Sequence, residues 1–114
     1  MKETAVYERV RRAFGPSSHV VRFTDRFNVG IPDMNVCVDG VEYWIECKVG
    51  KLLKGGWVKV DLSLAQALWL EDRVKAGGRC RVAVAVGKEL YWWHGPEFRP
   101  LLEKHLLYAF ETGC

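Results

Sequence analysis

The hydrophobic and polar positions of the chain alternate with two different periods, which predict both helices and strands. Apolar residues recur at helical spacing over residues 3–14, and the Gly-Pro pair at 15–16 ends that helix. β-branched and aromatic residues predict a strand over 19–24. An Asp-Gly pair at 39–40 separates two alternating runs, which is typical of a tight β-hairpin.

The pattern continues in the same mixed way to the end of the chain. The elements predicted after the hairpin are a basic, glycine-rich loop or ribbon over 50–60, a helix over 63–75, strands over 79–86 and 89–93, and a final helix over 100–110. The order α-β-β-β-α-β-β-α predicts an α/β fold, with a central mixed β-sheet flanked by helices.

Composition narrows the class of protein. A length of 114 residues points to one domain spanning 1–114, and 49% hydrophobic residues exclude a disordered chain. No apolar stretch is long enough for a membrane span, and the charged first thirteen residues do not fit a secretory signal. The four cysteines, Cys37, Cys47, Cys80 and Cys114, form no CxxC pair, which argues against a zinc ribbon or a disulfide scaffold. We therefore expect a reducing, cytoplasmic setting.

Charge becomes informative only when its position is considered. The net charge of +3 is too small to identify a nucleic-acid-binding protein. However, Lys51, Lys54 and Lys59 follow Lys48 in a segment with no acidic residue, and Trp57 lies among them. We expect these lysines to contact DNA phosphates and Trp57 to stack on bases or wedge between them. The alternative is ordinary solubilising charge.

A two-residue loop at 39–40 fixes the pairing of the strands on either side of it. In that register Val38 pairs with Val41. At the far end of the hairpin, Asp33 lies opposite Glu46. Strand alternation then makes one face wholly apolar, and therefore the core side: Met34, Val36, Val38, Val41, Tyr43, Ile45, Cys47 and Val49. The other face carries Asp33, Asn35, Cys37, Glu42, Trp44, Glu46 and Lys48.

The pairing of Asp33 with Glu46 suggests a metal site. Directly opposed carboxylates repel each other, so a cation between them is favourable. Mg²⁺ or Mn²⁺ prefers such oxygen ligands. Lys48 projects from the same face and can stabilise an anion or help to activate water. The alternative is a turn residue at Asp33 and a solvated strand face; the apolar opposite face and an exposed Trp44 favour the metal site.

Two short motifs resemble the signature of the PD-(D/E)xK nucleases. They are Gly-Ile-Pro-Asp at 30–33 and, thirteen residues after its aspartate, Glu-Cys-Lys at 46–48. Leu-Ser-Leu-Ala-Gln-Ala-Leu-Trp at 62–69 resembles the helix-opening motif of the VRR-NUC branch, the virus-type replication-repair nucleases. Holliday-junction resolvases share the core of this superfamily. The resemblance extends from the first helix to about Val86 and implies a restriction-endonuclease-like fold.

The resemblance also implies roles for individual residues. Asp33 and Glu46 would bind the metal through their carboxylates, together with the backbone carbonyl of Cys47. Lys48 would position or deprotonate the attacking water. Such nucleases place an acidic residue on the first helix, and Glu3 is favoured over Glu8 because the apolar stripe of the helix follows it.

Gln66 has two interpretations that do not exclude each other. Ser63-x-x-Gln66 matches a capping box, in which Gln66 reaches back to the first amide of the helix. The resemblance instead places Gln66 at the active site, near the metal, the water or the scissile phosphate. Trp69, one turn after Ala65, is expected to pack in the core rather than to contact substrate.

The resemblance implies a Mg²⁺-dependent endonuclease, with Mn²⁺ as a substitute, that cuts branched DNA such as four-way junctions. A DNA-repair role and a phage or mobile-element setting follow from it alone. Small members of the group act as homodimers, and the apolar residues of the predicted last helix suggest such an interface: Leu101, Leu102, Leu106, Leu107, Ala109 and Phe110. The alternatives are a non-catalytic DNA-binding module and a sequence-specific restriction-type enzyme. The residues do not distinguish DNA from RNA.

Overall fold

The structure, a computed structural model, describes residues 2–24 and 30–113, so that Cys114 lies outside it. The elements are α1 (Glu3–Phe14), β1 (His19–Arg22), β2 (Met34–Val38), β3 (Val41–Leu53), β4 (Trp57–Val60), α2 (Leu64–Lys75), β5 (Cys80–Val86), β6 (Glu89–His94) and β7 (His105–Leu106). Short 3₁₀ turns lie at Arg99–Leu102 and Leu107–Ala109. The predicted α/β architecture, a central mixed sheet with flanking helices, is confirmed.

The sheet is organised around β3. Its strand order is β1-β2-β3-β4-β7, while β5 pairs in parallel with β3 and β6 pairs antiparallel with β5. The predicted hairpin register is confirmed from Val38↔Val41 to Met34↔Ile45. Asp39 and Gly40 have φ values of 51° and 77°, the left-handed conformation that this two-residue turn needs.

The segment predicted as a loop or ribbon is a ribbon. β3 continues to Leu53, and its last residues pair antiparallel with β4. Gly50, where the pairing of β3 with β4 begins, leaves no room for a side chain, because a Cβ there would lie 2.7 Å from Val84 Cγ1.

Both faces of the sheet are covered. On one side α1 packs Val6 and Val10 against the predicted apolar face of the hairpin. On the other side α2 packs Ala67 and Leu70 against β5. The prediction that Trp44 is exposed is wrong, because α2 covers this second face. The Trp44 ring lies 5.3 Å from the rings of Phe23 and Trp69, and Trp69 packs against the core as expected.

The prediction of a final helix over 100–110 is wrong. The segment instead forms two 3₁₀ turns and the short strand β7, which pairs with β4. Leu101 and Phe110 are buried in the core, so part of the apolar set predicted to form an exposed dimer surface lies inside the protein. The carboxylate of Glu71 binds the backbone amides of Phe98 and Arg99 and fixes the start of this segment without a helix.

No helix among residues 2–24 and 30–113 is long and apolar enough to cross a membrane.

Candidate active site

The site lies where β3 loses its neighbour β2. β2 begins at Met34, opposite Ile45, so the pairing ends one residue before Asp33 and Glu46. Asp33 nevertheless stays at this edge, because its Oδ2 accepts a hydrogen bond of 2.7 Å from the backbone amide of Cys47. The turn that precedes β2 thus directs a carboxylate toward the middle of β3.

Gly30 connects this turn to α2. Its φ is 89°, and a Cβ would lie 2.6 Å from the carbonyl oxygen of Ala65. Only glycine fits such a close approach in this conformation. The Gly-Ile-Pro-Asp motif is therefore packed against the first turn of α2, which also carries Gln66.

Glu46 is the most buried charged group of the site, with 2% of its surface exposed. Its Oε2 accepts a hydrogen bond of 3.0 Å from Gln66 Nε2 and lies 3.4 Å from Lys48 Nζ. Its Oε1 is buried and has no hydrogen-bond partner among the described residues. A buried oxygen of this kind is costly unless something binds it.

The surroundings of Glu46 disfavour its charge. Burial, and then the negative charge of the neighbouring Asp33, raise the pKa of Glu46 to about 8, against the opposing effect of Lys48. The two carboxylates are therefore close enough to compete for one proton or one cation.

Lys48 links the sheet to α1. Its Nζ lies 3.5 Å from Glu3 Oε1 and its side chain is only 8% exposed. Glu3 is half-exposed in the first turn of α1. Glu8 instead pairs with Arg11 at 3.0 Å on the outer surface. The structure thus brings Glu3, rather than Glu8, to Lys48.

Both interpretations of Gln66 hold in the structure. Its Oε1 accepts from the Ser63 amide at 3.0 Å, and Ser63 Oγ accepts from the Gln66 amide at 3.1 Å, which completes the capping box. The same side chain donates from Nε2 to Glu46. The helix cap therefore orients the amide that holds the buried carboxylate.

The donor set fits a hard divalent cation. Asp33 and Glu46 offer carboxylate oxygens, one of them buried without a partner, and Cys47 lies beside them with its backbone carbonyl. Burial and the charge of Asp33 raise the pKa of the Cys47 thiol, whose side chain is buried in the core on the α1 side of the sheet. Within residues 2–24 and 30–113, no three or more His, Cys, Asp or Glu side chains are grouped so that they could hold a metal ion by themselves. Two carboxylates completed by water and phosphate are usual for Mg²⁺.

The predicted DNA-binding lysines form a separate surface. Lys51 and Lys59 are exposed and directly paired across β3 and β4, a like-charge arrangement that favours an anionic partner. Strand alternation turns Lys51 to the opposite face from Lys48. Lys54 is exposed before the ribbon tip, and Lys104 Nζ lies 4.9 Å from the ring centroid of Trp57.

Sequence reasoning missed Lys104 and Arg73. Lys104 reaches Trp57 only because β7 pairs with β4. Arg73 lies over the rings of Trp44 and Trp69. The spacing of Trp69 and Arg73, four residues apart on one helix, was the available signal.

Comparisons with known proteins find a structural likeness but no sequence match. No protein-family profile matches the chain, and no curated protein matches it. Among solved structures, Hjc, a Holliday junction resolvase from the archaeal hyperthermophile Archaeoglobus fulgidus, is similar with 13% sequence identity. The match covers 80% of this chain and 70% of Hjc, with a TM-score of 0.48. Likeness at this level is too weak to transfer residue roles, and the VRR-NUC resemblance stays a prediction.

Proposed function

We propose that the chain is a divalent-metal-dependent endonuclease that hydrolyses phosphodiester bonds in branched DNA such as four-way junctions. The observation that carries the proposal is the meeting of Asp33, Glu46 and Lys48 at one edge of β3, with an unpartnered buried oxygen on Glu46. This arrangement accords with a PD-(D/E)xK nuclease of restriction-endonuclease-like fold, in its VRR-NUC branch.

The residues that would hold the metal are Asp33, Glu46 and the backbone carbonyl of Cys47. Mg²⁺ is the expected cation, and Mn²⁺ an effective substitute, because both favour oxygen ligands. A cation held by these residues would polarise the phosphate and would lower the pKa of a bound water. The protein's part is to hold the two carboxylates close together, which the hydrogen bonds from Cys47 and Gln66 do.

Lys48 would position the attacking water and stabilise the negative charge that develops on the phosphate. Its buried ammonium group lies between Glu46 and Glu3, so that its position is fixed from two sides. A fixed cation at this place stabilises the negative charge that builds on the phosphate during attack. Glu3 orients Lys48, and Gln66 orients Glu46.

DNA would be held beyond the metal site by the ribbon. Lys54 is exposed before the ribbon tip, and Lys51 and Lys59 are exposed on the face of the ribbon opposite to Lys48. These lysines would supply positive charge for backbone phosphates away from the metal site, while Trp57 offers an indole to bases. One chain offers one such cutting site, and symmetric cleavage of two strands requires two. We therefore propose that the chain acts as a homodimer.

A cleavage panel tests this function. Purified protein is incubated with a four-way junction, a flap, linear duplex, single strand and RNA, each with Mg²⁺ or with EDTA. We expect cleavage of branched DNA with Mg²⁺ and none with EDTA. Cleavage that persists in EDTA would contradict the metal-dependent site, and binding without any cleavage would favour the non-catalytic module instead.

A further inference from the structure

Arg73, in the last turn of α2, is held in place by two indoles. Its Cζ lies 5.0 Å from the ring centroid of Trp44 and 4.8 Å from that of Trp69. Contacts with ring faces leave the N–H donors of a guanidinium group for another partner. Among residues 2–24 and 30–113, neither Arg73 nor Arg79 forms an ion pair with a carboxylate.

A small polar cavity of about 190 Å³ opens beside this arginine. Its lining residues are Glu42, Trp44, Arg73, Gly77, Gly78 and Arg79. Gly78 lies against the stem of Arg73, where a Cβ would be 2.6 Å from Arg73 Cγ, so the loop after α2 braces the arginine. The amide of Asn35 holds an oxygen of Glu42 at 2.8 Å, and two arginines outweigh that single carboxylate.

The cavity lies on the same face of the sheet as Glu46. Trp44 precedes Glu46 by two residues on β3, a separation of about 7 Å along one strand face. Arg73 follows Gln66 by seven residues on α2, a rise of about 10 Å along the helix. One DNA strand advances about 3.4 Å per nucleotide along the axis, so the cavity is about two to three nucleotides from Glu46.

We propose that Arg73 and Arg79 form a subsite for a backbone phosphate of the DNA strand, at a fixed distance from the bond that is cut. The proposal rests on the proposed function and deepens it. The planar donors of a stacked arginine suit a phosphate oxygen pair, and Arg79 adds the second positive charge. This subsite would set the register of the strand over the metal site.

Binding of a four-way junction, measured by fluorescence anisotropy in EDTA, tests the subsite without relying on cleavage. Single phosphates along each strand are replaced by neutral methylphosphonates. We expect Arg79→Gln to weaken binding of unmodified DNA about threefold to tenfold, as loss of one phosphate contact does. At one position along the strand, a methylphosphonate should lower the affinity of the wild-type protein by a similar factor. The same methylphosphonate should not lower the affinity of Arg79→Gln any further. Arg79→Lys should recover part of the affinity, and Lys88→Gln should bind like the wild-type protein.

Arg79 is the preferred position because its side chain is exposed, whereas Arg73→Gln also removes the stack on Trp44 and needs a thermal melt beside it. Wild-type affinity in Arg79→Gln, or equal losses in both proteins at every methylphosphonate, would overturn the subsite. A wild-type protein that binds junctions and shows this pattern, yet never cleaves with Mg²⁺, would overturn the proposed function and leave the subsite standing. A wild-type protein that binds no DNA would overturn both.

Discussion

Glu46 combines two properties that rarely occur together in a stable fold: near-complete burial and an oxygen without a partner. Glu46 lies in the middle of β3 between the buried residues Ile45 and Cys47. Asp33 adds a second carboxylate at the same edge. Such a group costs folding free energy in the absence of a cation. We infer that the site exchanges stability for a place to bind metal.

Replacement of Glu46 by glutamine should therefore make the metal-free protein relatively more stable as the pH rises. The pKa of Glu46 rises from 4.5 to about 8 on folding, so that between these values the unfolded state binds fewer protons. Wild-type stability then falls by up to about 1.4 kcal/mol for each pH unit and levels off above pH 8. Glu46→Gln lacks this loss.

Urea denaturation in EDTA at pH 5, 6, 7 and 8 measures the difference. Glu8→Gln, which changes a half-exposed acid on α1, is the control, and its stability should follow the pH dependence of the wild-type protein. A stability difference between Glu46→Gln and wild type that does not change with pH would contradict the burial of a shifted carboxyl group.

The two roles of Gln66 can be separated by a pair of variants. Ser63→Ala removes the side-chain cap and should destabilise the protein by about 0.5–2 kcal/mol while the Gln66–Glu46 hydrogen bond remains. Gln66→Ala removes both contacts and should also lower the cleavage rate with Mg²⁺ at saturating DNA. Equal cleavage rates for the two variants, after correction for the folded fraction, would show that Gln66 acts only as a helix cap.

At the scale of single residues, the sequence predicted what local spacing determines. Asp33, Glu46 and Lys48 came from the hairpin register and the motif spacing, and the capping box of Gln66 from two positions three residues apart. The burial of Trp44 could not be read this way, because it depends on where α2 packs. Arg73 and Lys104 belong to the same class, since each acquires its partner from another element.

At the scale of elements, the segment after β6 shows why periodicity alone fails. Its apolar residues match a helix in spacing, yet the chain gains more from Glu71, which binds two backbone amides and the Arg99 side chain at 2.8–2.9 Å. The pairing of β7 with β4 then takes the following residues into the sheet. A buried carboxylate on a distant helix thus overrides a local helical pattern.

Glu71→Gln should loosen this segment. Burial alone would raise the pKa of Glu71, but hydrogen bonds from the amides of Arg99 and Phe98 and the Arg99 charge together lower it. A lowered pKa means that the contribution to stability is present above the ordinary value of 4.5 and is lost as the pH falls through the folded value. Because hydrogen bonds to a charged group contribute about 1.5–3 kcal/mol, we expect a loss of that order at pH 7.

The measurement is urea denaturation at pH 7 and pH 3, with Glu103→Gln, an exposed acid of the same segment, as the control. The difference between Glu71→Gln and wild type should shrink at the lower pH. A difference that stays constant, or a variant as stable as wild type at pH 7, would show that the segment is held by packing instead.

At the scale of the whole molecule, the placement of charge matters more than its sum. The net charge of +3 includes acids that meet at the candidate metal site, whereas Lys51, Lys54 and Lys59 are concentrated on the ribbon.

If these lysines contact phosphates, each neutral replacement should reduce the slope of log affinity against log salt by about 1. The affinities of Lys51→Gln, Lys59→Gln and the control Lys88→Gln are measured by fluorescence anisotropy between about 50 and 200 mM salt, a range wide enough to resolve such slopes. Slopes equal to that of the wild-type protein would show that these lysines only increase solubility.

The proposed catalytic site of Asp33, Glu46 and Lys48 requires that loss of the Asp33 carboxylate stops cleavage but leaves DNA binding intact. Single-turnover cleavage of a four-way junction with Mg²⁺ is compared for the wild-type protein, Asp33→Asn and Glu8→Gln, with binding measured in parallel. We expect cleavage by wild type and Glu8→Gln at equal rates, and loss of cleavage with retained binding for Asp33→Asn. Cleavage by Asp33→Asn at the wild-type rate would contradict the metal-dependent site.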